Sequence, residues 1–424
     1  MPSLLGLPDI TIPEAKKQKL DNGIPVYVIN AGKQDILKVE FIFRNDAVEA
    51  KTPTLITSAN KMLSNGTSAH TSMELAEMLD YYGSYFDTEY SFDTSSVILY
   101  TLSKHLEKSL AIIKEILFDA VFPEQELNTY KQNSRQQLIV NNEKVGYVAR
   151  KKFNEMIFGA AHSYGYVEKT EDYDTMQRDD LRAIFSSLYT KDNCILIVAG
   201  KEPKDLIQVL NNNFGGNDWK NNDVRKSGAG SIEARALLPA PYPELIKKKD
   251  AVQSAIRIGK PLFNKTHPDY AGMNVLNTVL GGYFGSRLMS NIREDKGYTY
   301  GIGSAVVSLL QGGYFFIAAE TGVKVTEPAI VEIYKEIERL KTEIIPDEEL
   351  SMVKNYLSGS FLRSVDGAFQ LAERCKGIII YGLNYDYFYN YLNVIKTITP
   401  EELMQLANKY LENESFYELV VGGK

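Results

Sequence analysis

Apolar and polar residues alternate along three segments in the first quarter of the chain, and this alternation predicts β-strands. The same segments are rich in β-branched and aromatic residues, which strands favour. The three predicted strands span residues 24–30, 36–45 and 95–103. The first half of the chain is therefore expected to contain a sheet.

Helical spacing of apolar residues predicts most of the remaining elements. Residues 71–83 present one apolar helical face, begin with Thr71 and Glu74 as a capping box, and end in a glycine. Further helices, each of about three to four turns, fill 104–190 and 327–412. Because the helices are grouped and do not alternate strictly with strands, we predict an α+β fold with antiparallel-type strands.

The order of elements repeats along the chain. In each half, an amphipathic helix is followed by a proline that opens a second helix with acidic residues, Pro123 in one half and Pro346 in the other. A helix end, a polar turn and an apolar strand also occur twice, over 185–201 and 407–424. The two prolines are 223 residues apart, and so are Lys201 and Lys424, which end the second pair of segments. Two unrelated helix–strand units would not share one spacing, so the sequence predicts two homologous halves.

A stretch rich in glycine, asparagine, proline and charge lies between the halves. It spans residues 214–250, and this composition is typical of a connection between domains. We therefore predict an N-terminal domain over 1–228 and a C-terminal domain over 229–424.

Composition narrows the class of protein. A chain of 424 residues with a net charge of −7 has no basic excess of the kind that nucleic acid binding needs. Its two cysteines, Cys194 and Cys375, are too few for a disulfide framework and are expected to be buried thiols. There is neither a recognisable leader nor an apolar run long enough to span a membrane. The cytoplasm is the simplest compartment, although a periplasmic chain whose leader had been removed would look the same.

Familiar catalytic motifs are missing. A catalytic zinc site needs three protein ligands and an open position, but the four histidines are isolated along the sequence and none forms His-x-x-Glu-His. The chain also lacks a Gly-x-Ser-x-Gly elbow and a phosphate-binding loop. The residues alone therefore predict no metal or cofactor in this chain.

The segment richest in candidate chemistry is "LGGYFGSRLMSNIREDKGYTYGIGS", residues 280–304. It predicts a glycine-rich turn, a helix from about residue 286, and a strand that starts near Tyr300. A helix end beside a strand start can bring Arg293 and Tyr300 together, and both side chains donate hydrogen bonds to a carbonyl or an oxyanion. The alternative is a surface ion pair between Arg293 and Asp295, with Tyr300 half-buried in its strand.

Two segments carry a family resemblance. "KLDNGIPVYVI" (19–29) and "FGSRLMSNIREDKGYTYGIGS" (284–304) resemble the pitrilysin/insulinase family of inverted-motif zinc metallopeptidases, on the branch that includes mitochondrial processing peptidase. The resemblance covers nearly the whole chain, including the two-fold repeat. It implies two homologous α/β sandwich-like domains, each a sheet faced by helices, that together form half of a clam-shell chamber.

The segment "TLITSANKMLSNGT" (54–67) resembles the zinc-binding segment of active members, although its chemistry differs. Its apolar and turn residues match the family pattern Gly-Leu-x-His-x-x-Glu-His-Met-Leu-x-x-Gly-Thr. The two histidine positions are occupied by Thr57 and Lys61, and the position of the glutamate base by Asn60. The third ligand falls at Gln137, with Gln136 as the neighbouring possibility. Thr and Gln are poor zinc ligands, a protonated lysine repels the ion, and an asparagine is no general base.

Elsewhere in the chain, one segment differs from the pattern of active family members and another matches it. The substrate-edge strand has Phe86-Asp87 where active members often carry Asn-Ala. By contrast, Arg293 and Tyr300 match the pair that approaches the scissile carbonyl from the half opposite the zinc. Some members of this size are heterodimers in which one chain holds the zinc motif and the other holds this pair.

The resemblance therefore predicts a zinc-less subunit that uses Arg293 and Tyr300 on unfolded peptides held by a zinc-bearing paralogous partner. Two alternatives remain open. One is a non-enzymatic scaffold of the same fold, and the other is a peptide-binding receptor that needs no partner.

Overall fold

The computed structural model describes residues 11–48, 51–219 and 243–423. The first half forms a six-stranded sheet and eight helices. Its strands are β1 Lys16–Lys19, β2 Pro25–Asn30, β3 Ile36–Arg44, β4 Tyr85–Tyr90, β5 Thr94–Leu102 and β6 Cys194–Gly200. Its helices are α1 Pro53–Lys61, α2 Ser72–Tyr81, α3 Leu106–Asp119, α4 Glu124–Asn142, α5 Val145–Phe158, α6 Thr170–Thr175, α7 Arg178–Leu188 and α8 Leu206–Phe214.

The second half forms a five-stranded sheet with a similar set of helices. Its strands are β7 Pro243–Lys247, β8 Gln253–Leu262, β9 Thr299–Leu309, β10 Gly312–Gly322 and β11 Tyr417–Gly422. Its helices are α9 Tyr270–Asn277, α10 Thr326–Thr342, α11 Asp347–Arg363, α12 Ala368–Ile379, α13 Asp386–Thr397 and α14 Pro400–Tyr410. Two segments, Thr278–Gly282 and Met289–Asp295, have the wider turns of a π-helix. We call the second of these the π segment.

Apart from the additional edge strand β1, the two sheets share one strand order, which confirms the predicted α+β fold with homologous halves. The first sheet runs β1-β2-β6-β3-β5-β4 and the second runs β7-β11-β8-β10-β9. The expectation of antiparallel-type strands is wrong for one pair in each sheet, because β6 runs parallel to β2 and β11 runs parallel to β7. A parallel pair needs a long crossover, and here most of a half-chain separates the two strands of each pair.

The predicted spacing holds in the later part of each half. Helices α4 and α11 both follow a proline and start 223 residues apart, at Glu124 and Asp347. Strands β3 and β8 start only 217 residues apart, at Ile36 and Gln253, so one offset does not relate the whole of the two halves. The predicted boundary at 228–229, most of the predicted connection and residue 424 lie outside the described residues.

Each half covers the other half's sheet with a helix. Leu371 and Cys375 of α12 pack against Ile29, Ile42 and Ile197 of the first sheet. Helix α5 of the first half packs in the same way on β8 and β11 of the second sheet. Both sheets are therefore faced by helices on two sides, and this exchange of helices joins the halves.

A buried charge cluster adds to this junction. Glu40 on β3 lies 2.8 Å from Lys38 and 2.6 Å from Lys376 of α12, and its side chain is 1% exposed. Burial raises the pKa of Glu40, but attraction to Lys376 and Lys38 outweighs it and holds that pKa below its ordinary value. The carboxylate is therefore ionised and joins α12 to the first sheet.

Local sequence signals agree with the structure. The capping box of α2 is present, with Thr71 accepting from the Glu74 amide at 3.3 Å and the Thr71 amide donating to the Glu74 carboxylate at 2.8 Å. Cys194 and Cys375 are buried free thiols, as predicted. No helix in the described ranges combines the length and the apolar character needed to cross a membrane.

Candidate functional site

Helix α1 carries the predicted degenerate zinc positions and is held in place by packing at both ends. Leu55 and Met62 are buried in the core of the first half. After the helix, Gly66 adopts a φ of 146° and its carbonyl accepts a hydrogen bond from the Val121 amide at 3.0 Å. A Cβ at Gly66 would lie 2.9 Å from the ring of Pro123, the residue before α4. The apolar and turn residues of 54–67 therefore fit α1 against the start of α4.

Asn60, at the predicted position of the catalytic base, is fully buried. Its side-chain amide donates to the backbone carbonyl of Glu89 on β4 at 2.8 Å, and its side-chain oxygen accepts from the Tyr189 phenol at 2.7 Å. Burial raises the pKa of Tyr189 well above its ordinary value, so the phenol remains a proton donor. Asn60 thus joins α1, β4 and the end of α7 through neutral hydrogen bonds.

Thr57 and Lys61, at the two predicted histidine positions, have different surroundings. The Thr57 hydroxyl donates to the Pro53 carbonyl one turn earlier, at 3.3 Å, while Lys61 is exposed. Between them, buried Ser58 accepts a hydrogen bond from the Tyr130 phenol of α4 at 3.0 Å. Gln137, farther along α4, is exposed and donates to Asn141 of its own helix at 3.2 Å.

These residues do not fit a zinc ion. A zinc site needs several lone pairs directed at one point, whereas the Asn60 amide is engaged by protein groups and Lys61 is a cation. Within the described ranges, no group of three or more His, Cys, Asp or Glu side chains is placed to hold a metal. Gln136 is exposed on α4 as well and does not change this result.

The second candidate site is built on the π segment, which is held to its neighbours by one ion pair just before it and by a hydrogen bond from within it. Arg287, just before the segment, forms two hydrogen bonds of 2.8 Å with the Glu349 carboxylate of α11. Asn291 donates to Glu336 of α10 at 2.7 Å, and Ile292 is buried. Gly297, with a φ of 65°, then turns the chain into β9. Short π-helical segments recur at functional sites, where they reposition side chains.

Arg293 and Tyr300 are brought together by this turn. The Arg293 guanidinium carbon lies 5.5 Å from the centre of the Tyr300 ring and 4.7 Å from that of Phe284. Arg293 has no carboxylate within ion-pair distance in the part of the chain that the structure describes, so the alternative pair with Asp295 is not formed. Tyr300 is 92% exposed and Phe284 is 64% exposed, which also rules out a half-buried tyrosine.

Phe284 was not among the residues predicted from the sequence. Its only sequence signal was a large apolar residue within the glycine-rich turn "GGYFGS". The turn places the Phe284 ring against the Arg293 guanidinium, a cation–π arrangement. The resulting surface consists of one cation and two exposed rings, one of which is the Tyr300 phenol, and it can donate hydrogen bonds to a carbonyl or an oxyanion. We call it the Arg293 surface.

Comparison with family models gives two adjacent matches. Residues 59–170 match the family "Insulinase (Peptidase family M16)". Residues 175–357 match the family described as "Peptidase M16 inactive domain". The first match contains α1 from Ala59 onward and Gln137, and the second contains Arg293 and Tyr300.

Known proteins agree with these matches. The chain is 25% identical over 307 residues to the uncharacterized zinc protease YmxG of Bacillus subtilis, covering 72% of this chain and 73% of that protein. It is 23% identical over 276 residues to the probable inactive metalloprotease YmfF of the same organism, covering 63% of each. The crystal structure of a peptidase M16 inactive domain from Pseudomonas fluorescens superposes with a TM-score of 0.83 at 19% identity, over 97% of this chain and 98% of that one.

Proposed function

We propose that this chain, which belongs to the peptidase M16 family, is the zinc-less subunit of a heterodimeric peptidase and contributes Arg293 and Tyr300 to the active site of a partner. The resemblance predicted from the sequence is confirmed at the level of the family. One observation carries the proposal. The positions that correspond to zinc ligands and base are absorbed into neutral hydrogen bonds or exposed, while Arg293 keeps its donors free beside an exposed phenol.

The partner in this proposal is a paralogous chain with an intact zinc motif, which holds the metal and the base. This chain binds the substrate carbonyl. The Arg293 guanidinium and the Tyr300 phenol donate to the carbonyl oxygen, orient it and stabilise the negative charge that develops there. Removing one such donor costs about 2.7–4 kcal/mol of transition-state stabilisation.

The substrate in this proposal is an unfolded peptide. Each sheet ends in an edge strand, β4 in the first and β9 in the second, and Tyr300 is the second residue of β9. An extended peptide can pair with an edge strand through its backbone, whereas a folded protein presents no such strand. The two chains would enclose the peptide, each forming one half of a clam-shell chamber. The proposed compartment is the cytoplasm.

The test uses the partner that copurifies with this chain and carries His-x-x-Glu-His. We expect hydrolysis of an unstructured fluorogenic peptide by the pair, and no hydrolysis by this chain alone. Arg293→Ala and Tyr300→Phe should each lower kcat by about two to three orders of magnitude. Neither should change the thermal midpoint by much, because Tyr300 is exposed and Arg293 is only partly buried and has no ion pair in the described part of the chain.

Arg182→Ala is the matched control, because Arg182 is an exposed arginine of α7 in the other half. It should leave kcat unchanged. An Arg293→Ala pair as active as the wild type would refute the role of the arginine. Peptide hydrolysis or stoichiometric zinc in this chain alone would refute the zinc-less assignment.

The alternative functions give different results in the same experiment. A scaffold of the same fold would copurify with other chains, but no pair would depend on Arg293 for hydrolysis. A peptide-binding receptor would bind unfolded peptides tightly without any partner. The Arg293 surface favours the first proposal, since a scaffold has no use for an unpaired guanidinium beside an exposed phenol.

A further inference from the structure

A cavity of about 300 Å³ lies among the helices of the second half. Helices α9, α11, α12 and α13 form its wall, together with Lys265, which follows β8. None of the residues of α1 or of the Arg293 surface lines it. Its volume is at the lower end of the range for small-molecule sites, about 300–1,000 Å³.

Two cations in this cavity lack acidic partners. The Lys265 ammonium donates to the Gly377 carbonyl at 3.1 Å and lies 4.5 Å from the centre of the Tyr381 ring. The Arg374 Nε donates to the Ser364 hydroxyl at 2.7 Å, which leaves its terminal nitrogens available. Across the described residues, neither cation has a carboxylate within ion-pair distance.

The acidic residue in the wall does not offset this charge. Glu373 is turned towards Lys38 of the first sheet and also lies 3.9 Å from Lys376. Burial and repulsion from Arg374 lower the pKa of Lys265 to about 8, although attraction to Asp93 acts in the opposite direction. An anion bound between Lys265 and Arg374 would relieve the repulsion between these two cations.

Most other residues of the wall are aromatic or aliphatic, while Asn274 and Ser360 add polar groups. Tyr387 and Tyr391 stack with ring centres 6.4 Å apart, and Phe388, Leu357 and Ile378 complete this side. The wall thus combines two cations with aromatic and aliphatic groups. Such a surface suits a ligand that has a negative group on an apolar frame.

We propose that this cavity binds a small organic carboxylate, whose charged group lies between Lys265 and Arg374 and whose apolar body packs against the tyrosines. Inorganic phosphate has no apolar body to fill the site. Such a carboxylate group could belong either to a free carboxylic acid or to the C-terminal end of a peptide.

The test is isothermal titration of the full chain with sodium phenylacetate at constant ionic strength. We expect saturable binding at millimolar or lower concentration and a rise in the thermal midpoint with phenylacetate. Phenethylamine, which has the same ring and a positive charge, should not bind, and neither should inorganic phosphate. N-acetyl-alanyl-alanyl-phenylalanine and its C-terminal amide distinguish the sources. If the peptide acid binds and its C-terminal amide does not, the ligand is the C-terminal end of a peptide. If neither peptide binds but phenylacetate does, the ligand is a free carboxylic acid.

Variants locate the site. Arg374→Gln and Lys265→Met should each weaken phenylacetate binding by about tenfold or more, since each removes a charge-assisted hydrogen bond. Arg363→Gln, at an exposed arginine of the neighbouring α11, should leave it unchanged. Lys265→Met should also raise the thermal midpoint of the unliganded chain, because it removes a poorly solvated cation. No binding of phenylacetate, equal binding of phenethylamine, or unchanged affinity in both cavity variants would each overturn the proposal. No partner chain is needed, so the outcome is independent of the proposed peptidase role.

Discussion

The substitution Asn60→Asp tests whether α1 has become a neutral packing element. It preserves the shape of the side chain and replaces only the amide donor. In the wild type that donor satisfies the Glu89 carbonyl at 2.8 Å, and the opposite oxygen accepts from Tyr189 at 2.7 Å. An ionised aspartate would keep the second bond and place a negative oxygen against the Glu89 carbonyl, in a site with no exposure to solvent.

The size of the effect has an upper bound. A protonated aspartate can still donate to the Glu89 carbonyl, so the variant avoids the buried charge by taking up a proton. At pH 7 this costs about 1.4 kcal/mol for each pH unit above the ordinary aspartate pKa of about 3.9, or about 4 kcal/mol in all. Loss of a buried donor alone costs about 1–3 kcal/mol. We therefore expect destabilisation of about 2–4 kcal/mol at pH 7.

The sign of the pH dependence follows from the same argument. The folded state raises the pKa of the introduced aspartate above its unfolded value, so the folded variant binds more protons than the unfolded one. The loss of stability should then grow as pH rises from about 4 towards the folded pKa, and should nearly vanish near pH 4. A retained zinc-site geometry, with the base position open to water, predicts no such dependence.

The assay is urea unfolding followed by far-ultraviolet circular dichroism at pH 4, 5.5 and 7, with wild type and variant compared at each pH. Asn133→Asp is the matched control, because Asn133 is an exposed asparagine of α4. It should change the free energy of unfolding by less than about 0.5 kcal/mol. If Asn60→Asp is within that margin of the wild type at pH 7, the interpretation of α1 as a buried neutral element is wrong.

Two further substitutions test the junction between the halves and the frame of α1. Glu40→Gln removes the carboxylate shared by buried Lys38 and partly buried Lys376. Glu373 remains near both lysines, so the substitution should cost about 1–3 kcal/mol in urea unfolding at pH 7. The pKa of Glu40 is lower in the folded state than in the unfolded state, so its stabilisation is present above the unfolded pKa and is lost as the pH falls below it. The variant has no carboxylate at this position, so its stability should not show this loss on acidification. Gly66→Ala should cost about 1–3 kcal/mol in the same assay, since its φ of 146° is unfavourable for alanine and its Cβ would press on the proline before α4. Gly301→Ala, where a Cβ meets nothing within 4 Å, is the control and should leave the urea midpoint close to that of the wild type.

The helices and strands that could be predicted from the sequence are those whose positions depend on residues close together in the chain. The cap of α2 needs only Thr71 and Glu74, three residues apart, and both side chains make their bonds as expected. The proline before α4 and its counterpart before α11 fix helix starts through their own backbone geometry. Features of this kind depend on a few neighbouring residues, so a single chain is enough to find them.

Long-range features escaped the sequence for a physical reason. The parallel pairing of β6 with β2 and the exchange of α5 and α12 depend on which surface each element covers after the chain has folded. The amphipathic pattern of α12 shows that one face must be buried, but it does not show that the covering surface belongs to the other half. The contact between Phe284 and Arg293 has the same origin, because the turn and the π segment bring together residues that no periodicity relates.

Helix α1 and the Arg293 surface differ in whether their polar groups already have hydrogen-bond partners within the chain. This difference favours a role in which the Arg293 surface acts together with a second chain. In α1, Asn60 and Ser58 are satisfied by groups of their own chain. The Arg293 surface has the opposite character, with an unpaired guanidinium between two aromatic rings that are 64% and 92% exposed. Large exposed apolar groups beside unused donors are typical of surfaces that bind another molecule. If the chain had lost all function, there would be no reason for the polar groups of α1 to be satisfied while those of the Arg293 surface stay unpaired. We therefore expect selection for binding to act on the Arg293 surface.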